Sequence, residues 1–284
     1  MSEEMNQSNW LIFTDLDGTL LDHDSYSHQA ADGLLQELEQ KHIPVILTTS
    51  KTRAEVLSIR RELNNRHPFI IENGAAIFIP QGYFATKPEG CIGLEVESEG
   101  SDKESYWVYS LSQDREHWVG LLEQAKQIFP HNFSHFKAMK EEVIAQVTGL
   151  TLSQAKLANQ REFGEPISWL GVDKGKEKFI QWLEEQGGHV LQGGRFLHLT
   201  GPCNKGKALA WLSAEYQKQD NSKDYKTIAL GDSGNDVAML EEADLAVIIR
   251  SPVHSPPKLT RLRGFFVSEQ FGPWGWSSSL RKIL

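Results

Sequence analysis

Two aspartates, Asp15 and Asp17, stand one residue apart directly after the apolar run 11–13. A short run of this kind predicts a buried strand, and Gly18 lets the backbone turn sharply after it. Neighbouring carboxylates repel one another unless a cation or a shared proton compensates them, and Mg²⁺ is the cation that such oxygen ligands most often hold. The pattern therefore predicts that the two carboxylates at the end of this strand are catalytic. The alternative is a simple turn, which Asp-x-Asp-Gly also favours.

The elements around this strand end follow an α/β pattern. Short apolar runs at 45–47 and 69–71 predict two further strands, and the amphipathic segments between them predict helices. This order and spacing predict a parallel sheet with helices on its faces. Ligands of such sheets bind beyond the carboxyl ends of the strands, so we expect Asp15, Thr49 and Asn73 to face one crevice.

The α/β pattern is interrupted in the middle of the chain. A polar, Gly-rich stretch precedes a mixture of strand and helix patterns, which ends in a hairpin pattern with a Gly-Gly turn. We therefore predict an α/β fold with a Rossmann-like parallel-sheet core domain, residues 1–83 and 197–284. An inserted α+β cap domain is predicted for residues 84–196.

A second carboxylate loop follows the predicted strand 227–230. Asp232 and Asp236 flank Asn235 in a loop that contains two glycines. Taken alone, this loop is more typical of a strand-to-helix turn in which Asp caps the helix. A parallel sheet would bring it beside the first pair of aspartates, and that coincidence favours a shared site.

The chemistry that suits these groups is phosphoryl transfer. Asp15 would attack phosphorus and form an aspartyl-phosphate, which divides one difficult step into two. Asp17 would protonate the leaving alkoxide and then deprotonate the hydrolytic water. A cation held by Asp15, Asp232 and the backbone carbonyl of Asp17 would neutralise the charge that develops.

Two further groups would hold the phosphoryl oxygens, namely the Thr49 hydroxyl and the Lys205 ammonium. Each has a simpler interpretation, because Thr49 could cap the next helix and Lys205 could be a solvated surface charge. Lys207 is an equally good candidate for the phosphate-binding lysine, since both lysines adjoin Gly206. His198 lies on an apolar strand pattern, which is more typical of a structural histidine than of a ligand.

The composition limits the partners. The formal net charge of −9 leaves no excess of Lys and Arg to neutralise a nucleic-acid backbone. Two cysteines are too few for a disulfide framework, and neither a signal-peptide pattern nor a membrane-length apolar run is found. We therefore expect a cytoplasmic enzyme without nucleic-acid or membrane partners. The oligomeric state is left open.

These motifs, taken in order, resemble those of the haloacid dehalogenase superfamily of phosphatases. The matching segments are 15–19, the Thr/Ser pair after the second strand, the region of Lys205, and 231–236. The resemblance implies a Mg²⁺ cofactor and a cap that selects the substrate. The implied phosphate-binding residues are Thr49, Ser50, Lys205 and Asn235, and the implied metal-binding residues are Asp15, Asp17, Asp232 and Asp236.

A narrower resemblance is to mannosyl-3-phosphoglycerate phosphatases and their close relatives. It is carried by segments 13–26, 49–53, 72–74, 161–167 and 192–196. It implies a magnesium-dependent hydrolase of a glycosyl-3-phosphoglycerate, with the mannosyl ester as first candidate and a phosphorylated sugar acid as partner.

The same resemblance implies that Arg161, Glu165 and Arg195 of the cap face the substrate. A guanidinium can grip the glycerate carboxylate with two bonds, and a carboxylate can accept sugar hydroxyls. The alternative for Arg161 and Glu165 is a surface ion pair.

Other functions are compatible with the same motifs. A phosphatase of other sugar phosphates would share all of them, and a phosphohexomutase would share the aspartyl-phosphate but release little free phosphate. A catalytically silent sensor of phosphorylated ligands is disfavoured, because Asp15 and Asp17 are both present. The sequence suggests no role for the segment from residue 251 onward, which is rich in Pro, Gly and Trp.

Overall fold

The computed structural model describes residues 9–97, 103–193 and 196–284. The strands in these ranges are β1 (Asn9–Thr14), β2 (Val45–Thr48), β3 (Phe69–Ile71), β4 (Ala76–Pro80), β5 (Ile92–Glu97), β6 (Lys103–Ser110), β7 (Phe133–His135), β8 (Glu165–Trp169), β9 (His189–Gly193), β10 (Phe196–Thr200), β11 (Tyr225–Gly231), β12 (Leu245–Arg250) and β13 (Phe265–Phe271). The helices are α1 (Asp32–Gln40), α2 (Arg53–Glu62), α3 (Arg115–Ile128), α4 (Glu141–Thr148), α5 (Leu152–Ala158), α6 (Asp173–Glu185), α7 (Lys205–Gln219), α8 (Val237–Glu242) and α9 (Gly272–Ile283).

A large sheet forms the centre of the fold. Within the described ranges its strand order is β13-β12-β11-β1-β2-β3-β4-β6-β5. The strands from β13 to β3 in this order are mutually parallel, and β1 lies between β11 and β2. This confirms the predicted α/β class and places the ends of β1, β2 and β11 side by side.

Both faces of this sheet are buried, because side chains alternate between the faces of a strand. On β1, Ile12 packs into one apolar cluster with α1, α2 and α9. Its neighbours Leu11 and Phe13 pack into a second cluster with α7 and α8. The near-continuous apolar runs that predicted the strands reflect this burial on both sides.

The large sheet extends further than predicted. Strands β4, β6 and β5 add to it in antiparallel pairing, although the predicted cap domain begins at residue 84. The reason is the alternation within β6, where Tyr106 and Val108 are buried against the core residues Phe69 and Phe78. We therefore propose that the inserted unit spans residues 111–200.

A second, antiparallel sheet forms the inserted unit, with strand order β7-β8-β10-β9. The predicted hairpin pairing of β9 with β10 is confirmed. On β10, Leu197 and Leu199 pack against α3 and α6, so His198 lies on the opposite face. The second sheet therefore has one apolar face under its helices and a more polar face.

The C-terminal segment completes the core. Strand β13 pairs with β12, and α9 buries Trp276 and Leu280 against the large sheet. The Trp276 indole Nε1 donates to Thr14 Oγ1 at 3.0 Å, and Thr14 Oγ1 donates to the Asp15 carbonyl at 2.8 Å. The segment to which the sequence assigned no role thus supports the end of β1.

No helix within the described ranges combines the length and the apolar character needed to cross a bilayer.

Candidate active site

The first carboxylates of the site come from two adjacent strand ends. Asp15 follows β1 and donates its backbone N–H to Leu230 O at 2.9 Å, and Asp232 follows β11. The two loops approach closely at Gly18, which has φ +76°; a Cβ atom there would lie 2.7 Å from Asp232 Oδ2. Only glycine therefore fits this position without strain, and its absence of a side chain lets the two carboxylate loops meet.

Lys205, the first residue of α7, links the two carboxylate loops. Its ammonium donates to Asp15 Oδ1 at 2.5 Å and to Asp236 Oδ1 at 2.6 Å, and all three side chains are buried. Lys207 instead donates to the carbonyl of Pro202 at the protein surface. Of the two lysines that the sequence left open, the structure brings Lys205 to the aspartates.

Asp236 is surrounded by protein donors. Besides the Lys205 ammonium on Oδ1, its Oδ2 accepts the backbone N–H groups of Asp232 and Ser233 at 3.1 and 3.0 Å. These bonds hold the loop after β11 in a tight turn. Asp236 therefore orients both Lys205 and Asp232, which is a positioning role in addition to its predicted metal-binding role.

The cluster has the donors and the charge that suit a divalent cation. Asp15, Asp232 and Asp236 each offer an oxygen within 4.8 Å of the others, and these three carboxylates outnumber the one ammonium of Lys205. Burial raises the pKa of Asp15 to about 8, since it outweighs the opposing effect of Lys205. Burial and the nearby Asp236 raise the pKa of Asp232 to about 6. A bound Mg²⁺ would favour the ionised forms of these groups.

Asp17 lies beside this cluster with a different set of partners. Its Oδ2 accepts a hydrogen bond from the Lys51 ammonium at 2.6 Å. Its Oδ1 is buried and has no hydrogen-bond partner among the described residues. A carboxyl oxygen in this situation can give a proton to a substrate atom, or accept one from it, without losing a protein contact.

The predicted phosphate-binding residues Thr49 and Asn235 lie at the same edge of the sheet. Thr49 is buried at the end of β2, where its Oγ1 accepts the Lys51 backbone N–H at 3.2 Å. Asn235 donates through Nδ2 to Asn73 Oδ1 at 2.9 Å. The structure thus places Thr49, Asn73 and Asn235 after the ends of β2, β3 and β11, at the same edge of the sheet.

Ser50 and Arg161 meet where the inserted unit contacts the core. Arg161 donates through its terminal nitrogen to the Ser50 carbonyl at 3.1 Å, and its Nε lies 3.4 Å from Glu72 Oε2. Glu72 is buried and, like Asn73, has a positive φ, 47° and 59° respectively. Such conformations are strained for residues other than glycine and cluster at functional sites. Arg161 is therefore paired across the junction rather than on the protein surface.

Glu165 is engaged inside the inserted unit. Its Oε2 accepts from Arg115 Nε at 2.5 Å, and its Oε1 accepts from His135 Nδ1 at 2.8 Å and from the Lys137 backbone N–H at 2.7 Å. Its side chain is fully buried. In this structure the carboxylate of Glu165 binds protein donors, and it is not paired with Arg161. Arg195 lies outside the described residues.

Four residues near the site were not predicted to contribute to it: Lys51, Glu72, His254 and Trp276. His254 Nε2 lies 3.2 Å from Asp232 Oδ2. The position of Lys51 directly after the strand-end pair Thr49 and Ser50 is a usable sequence signal. Trp276 gave none, because its partner Thr14 is 262 positions away.

Comparison with known sequences identifies the family. A family profile described as haloacid dehalogenase-like hydrolase matches residues 12–87 and 174–254. A protein of Methanococcoides burtonii named glucosyl-3-phosphoglycerate/mannosyl-3-phosphoglycerate phosphatase is 36% identical over 274 residues, 96% of this chain and 97% of the relative. A protein of Persephonella marina with the same name is 34% identical over 275 residues, again 96% and 97% of the two chains. The resemblances drawn from the motifs are confirmed.

Solved structures support the fold. A phosphatase of the haloalkanoate (HAD) enzyme superfamily from Bacteroides thetaiotaomicron aligns with a TM-score of 0.67 at 15% identity, covering 100% of this chain and 98% of that one. The sucrose-phosphatase of Synechocystis, determined with sucrose and phosphate, aligns with a TM-score of 0.60 at 14% identity, covering 97% and 98%. The similarity thus includes the inserted unit as well as the large sheet.

Proposed function

We propose that this protein hydrolyses a glycosyl-3-phosphoglycerate. The chain belongs to the haloacid dehalogenase-like hydrolases and is a phosphatase. The observation that carries this proposal is the match to two relatives named for glucosyl- and mannosyl-3-phosphoglycerate, which extends over 96% of the chain. That match includes the inserted unit, the part that encloses the leaving group in the proposal. The products would be a glycosylglycerate and inorganic phosphate.

In this proposal Asp15 attacks the phosphorus atom and forms an aspartyl-phosphate as the ester oxygen leaves. Asp17 gives that oxygen a proton and later takes a proton from the water that hydrolyses the intermediate. The unpartnered Oδ1 of Asp17 supports this role. Lys205, fixed between Asp15 and Asp236, keeps a positive charge beside the nucleophile.

The proposed cofactor is Mg²⁺, held by Asp15, Asp232 and the backbone carbonyl of Asp17. The bound cation would supply positive charge to the phosphoryl oxygens and the anionic side chains. Asp236 contributes mainly by orienting Asp232 and Lys205, because its own oxygens already accept protein hydrogen bonds. The excess of carboxylates over ammonium in the buried cluster supports this assignment.

The remaining site residues keep their predicted roles as parts of the proposal. Thr49, Ser50, Lys205 and Asn235 would hold the phosphoryl oxygens, as donors placed around an anion do. Arg161, Glu165 and Arg195 stay predictions as residues on the substrate side of the cap. Closure of the cap would exclude bulk water from the intermediate. The proposal places the enzyme in the cytoplasm, without a nucleic-acid partner.

The test is phosphate release from a panel of esters with Mg²⁺ and with chelator. The panel contains mannosyl- and glucosyl-3-phosphoglycerate, 3-phosphoglycerate and hexose phosphates. We expect metal-dependent release that is fastest for a glycosyl-3-phosphoglycerate, and Asp15→Asn should lower it at least about a thousandfold because the nucleophile is lost. The matched control is Asp224→Asn, the same change at an exposed carboxylate before β11.

Each other outcome has a defined meaning. Faster release from hexose phosphates would retain the mechanism and reject the substrate. Transfer of phosphate to a second sugar hydroxyl, with little free phosphate, would indicate a mutase. No turnover of any ester would favour a sensor.

A further inference from the structure

Lys51 is a cation beside the proposed general acid that the mechanism above does not use. Its ammonium lies 2.6 Å from Asp17 Oδ2 and 5.6 Å from the centre of the Tyr26 ring. Its side chain is 16% exposed, so most of it is withdrawn from bulk solvent. The backbone of Lys51 is fixed by its bond to Thr49 Oγ1 at the end of β2.

Two other cations near the site, among the residues that the structure describes, have protein partners. Lys205 lies between Asp15 and Asp236, and Arg161 bonds the Ser50 carbonyl and faces Glu72. Arg161 Nε is buried without a hydrogen-bond partner among the described residues, so Arg161 also has an unused donor. Lys51 differs from both residues because its ammonium contacts Asp17, the proposed general acid. Within the described part of the chain, the only hydrogen bond recorded for its ammonium goes to Asp17, and an ammonium has three donors.

The chemistry of the proposed substrate places an anion near this position. In a glycosyl-3-phosphoglycerate, the phosphate ester oxygen is on C3. The carboxylate carbon is C1, and C2 lies between the two. The ester oxygen must lie against Asp17 to receive its proton. The carboxylate is then within a short reach of Asp17, and so of any cation that contacts Asp17.

We propose that Lys51 binds the glycerate carboxylate and is the residue that selects phosphoglycerate esters over phosphate esters that lack a carboxylate. This inference rests on the proposed function and adds the group that recognises its leaving group. It differs from the expectation that Arg161 grips the carboxylate, because the charge of Arg161 faces the buried Glu72. A charged hydrogen bond in a partly desolvated crevice gives strong discrimination against a ligand that lacks the anion.

The experiment compares two substrates that differ only in this anion. They are glucosyl-3-phosphoglycerate and its analogue, 2-O-glucosylglycerol 3-phosphate, in which a hydroxymethyl group replaces the carboxylate. The variant is Lys51→Gln, which can still donate to Asp17 but carries no charge. We expect kcat/KM to fall about tenfold to a hundredfold for the carboxylate substrate and less than about threefold for the analogue.

Two further variants separate charge from structure. Lys51→Arg restores the cation and should recover most of the preference for the carboxylate. Lys226→Gln removes the same charge from an exposed side chain at the start of β11 and should leave both substrates unaffected. A thermal unfolding midpoint for each variant shows that the fold is retained.

The inference has clear contrary results. An equal loss on both substrates would overturn it, because Lys51 would then act only by positioning Asp17. Equal wild-type rates on the two substrates, or an unchanged Lys51→Gln variant, would overturn it as well. If the wild type cleaves hexose phosphates but neither glycosyl ester, the proposed function itself fails, and the inference falls with it.

Discussion

Replacement of Lys205 by methionine tests how the buried site is stabilised. The ammonium lies 2.5 Å from Asp15 and 2.6 Å from Asp236, with none of its own side-chain surface exposed. Methionine fills similar space but leaves two buried carboxylates without their cation. Loss of one partner from a buried ion pair typically costs about 3–5 kcal/mol, a large share of the stability of a domain.

The measurement is the free energy of unfolding from urea curves at pH 9 in chelator, so that Asp15 is largely ionised in the wild type and no metal ion stabilises the site. Asp15→Asn alone and the double variant Asp15→Asn with Lys205→Met complete a mutant cycle. The double variant should be about 1–3 kcal/mol more stable than the sum of the single losses predicts, because asparagine, unlike Asp15, neither stays charged without Lys205 nor has to take up a proton. Lys226→Met, on the surface, is the control and should stay within about 0.5 kcal/mol of the wild type.

Two results would refute this reasoning. One is a Lys205→Met variant as stable as the control, which would mean that the carboxylates lose no net stabilisation when the ammonium is removed. The other is strict additivity in the cycle, which would mean that Lys205 and Asp15 do not interact in solution.

Three further predictions follow from single contacts. Burial, helped by Arg161, lowers the pKa of His198 from 6.5 to about 4, so the unfolded chain binds its proton first and stability is lost as pH falls between these values. Urea curves across this window should show that His198→Gln loses up to about 3 kcal/mol less than the wild type, and an identical pH dependence would contradict the shift. Gly18→Ala should lower the free energy of unfolding by about 1–2 kcal/mol, because Gly18 has a positive φ. It should also weaken Mg²⁺ binding measured by calorimetry, because the new Cβ atom would press against Asp232. An unchanged affinity for Mg²⁺ would exclude that contact. Trp276→Phe removes the donor to Thr14 and should lower the free energy of unfolding by about 1–3 kcal/mol and also lower kcat, whereas an effect on stability alone would limit the indole to the core.

Much of this protein was predictable from the sequence. The apolar runs gave the parallel strands, and the position of Asp15 and Asp232 directly after two of them placed both at one edge of the sheet. The motifs also identified the family and the phosphatase activity, which the comparisons confirm. These features are local, because strand periodicity and strand-end motifs are written within a few consecutive residues.

Other features depended on the tertiary structure. The sequence could not separate Lys205 from Lys207. It also placed β5 and β6 in the cap, although β6 pairs with β4 and β5 pairs with β6 in the large sheet. It placed Lys51 near a strand end but did not show that its partner is Asp17, and it gave no sign that Trp276 supports Thr14.

The physical reason is the distance along the chain between the partners. Lys205 and Asp15 are 190 positions apart, and Lys51 and Asp17 are 34 apart. The sequence determined which chemical groups stand at each strand end. Only the packing of the strands, the helices and the inserted unit decided which of those groups touch.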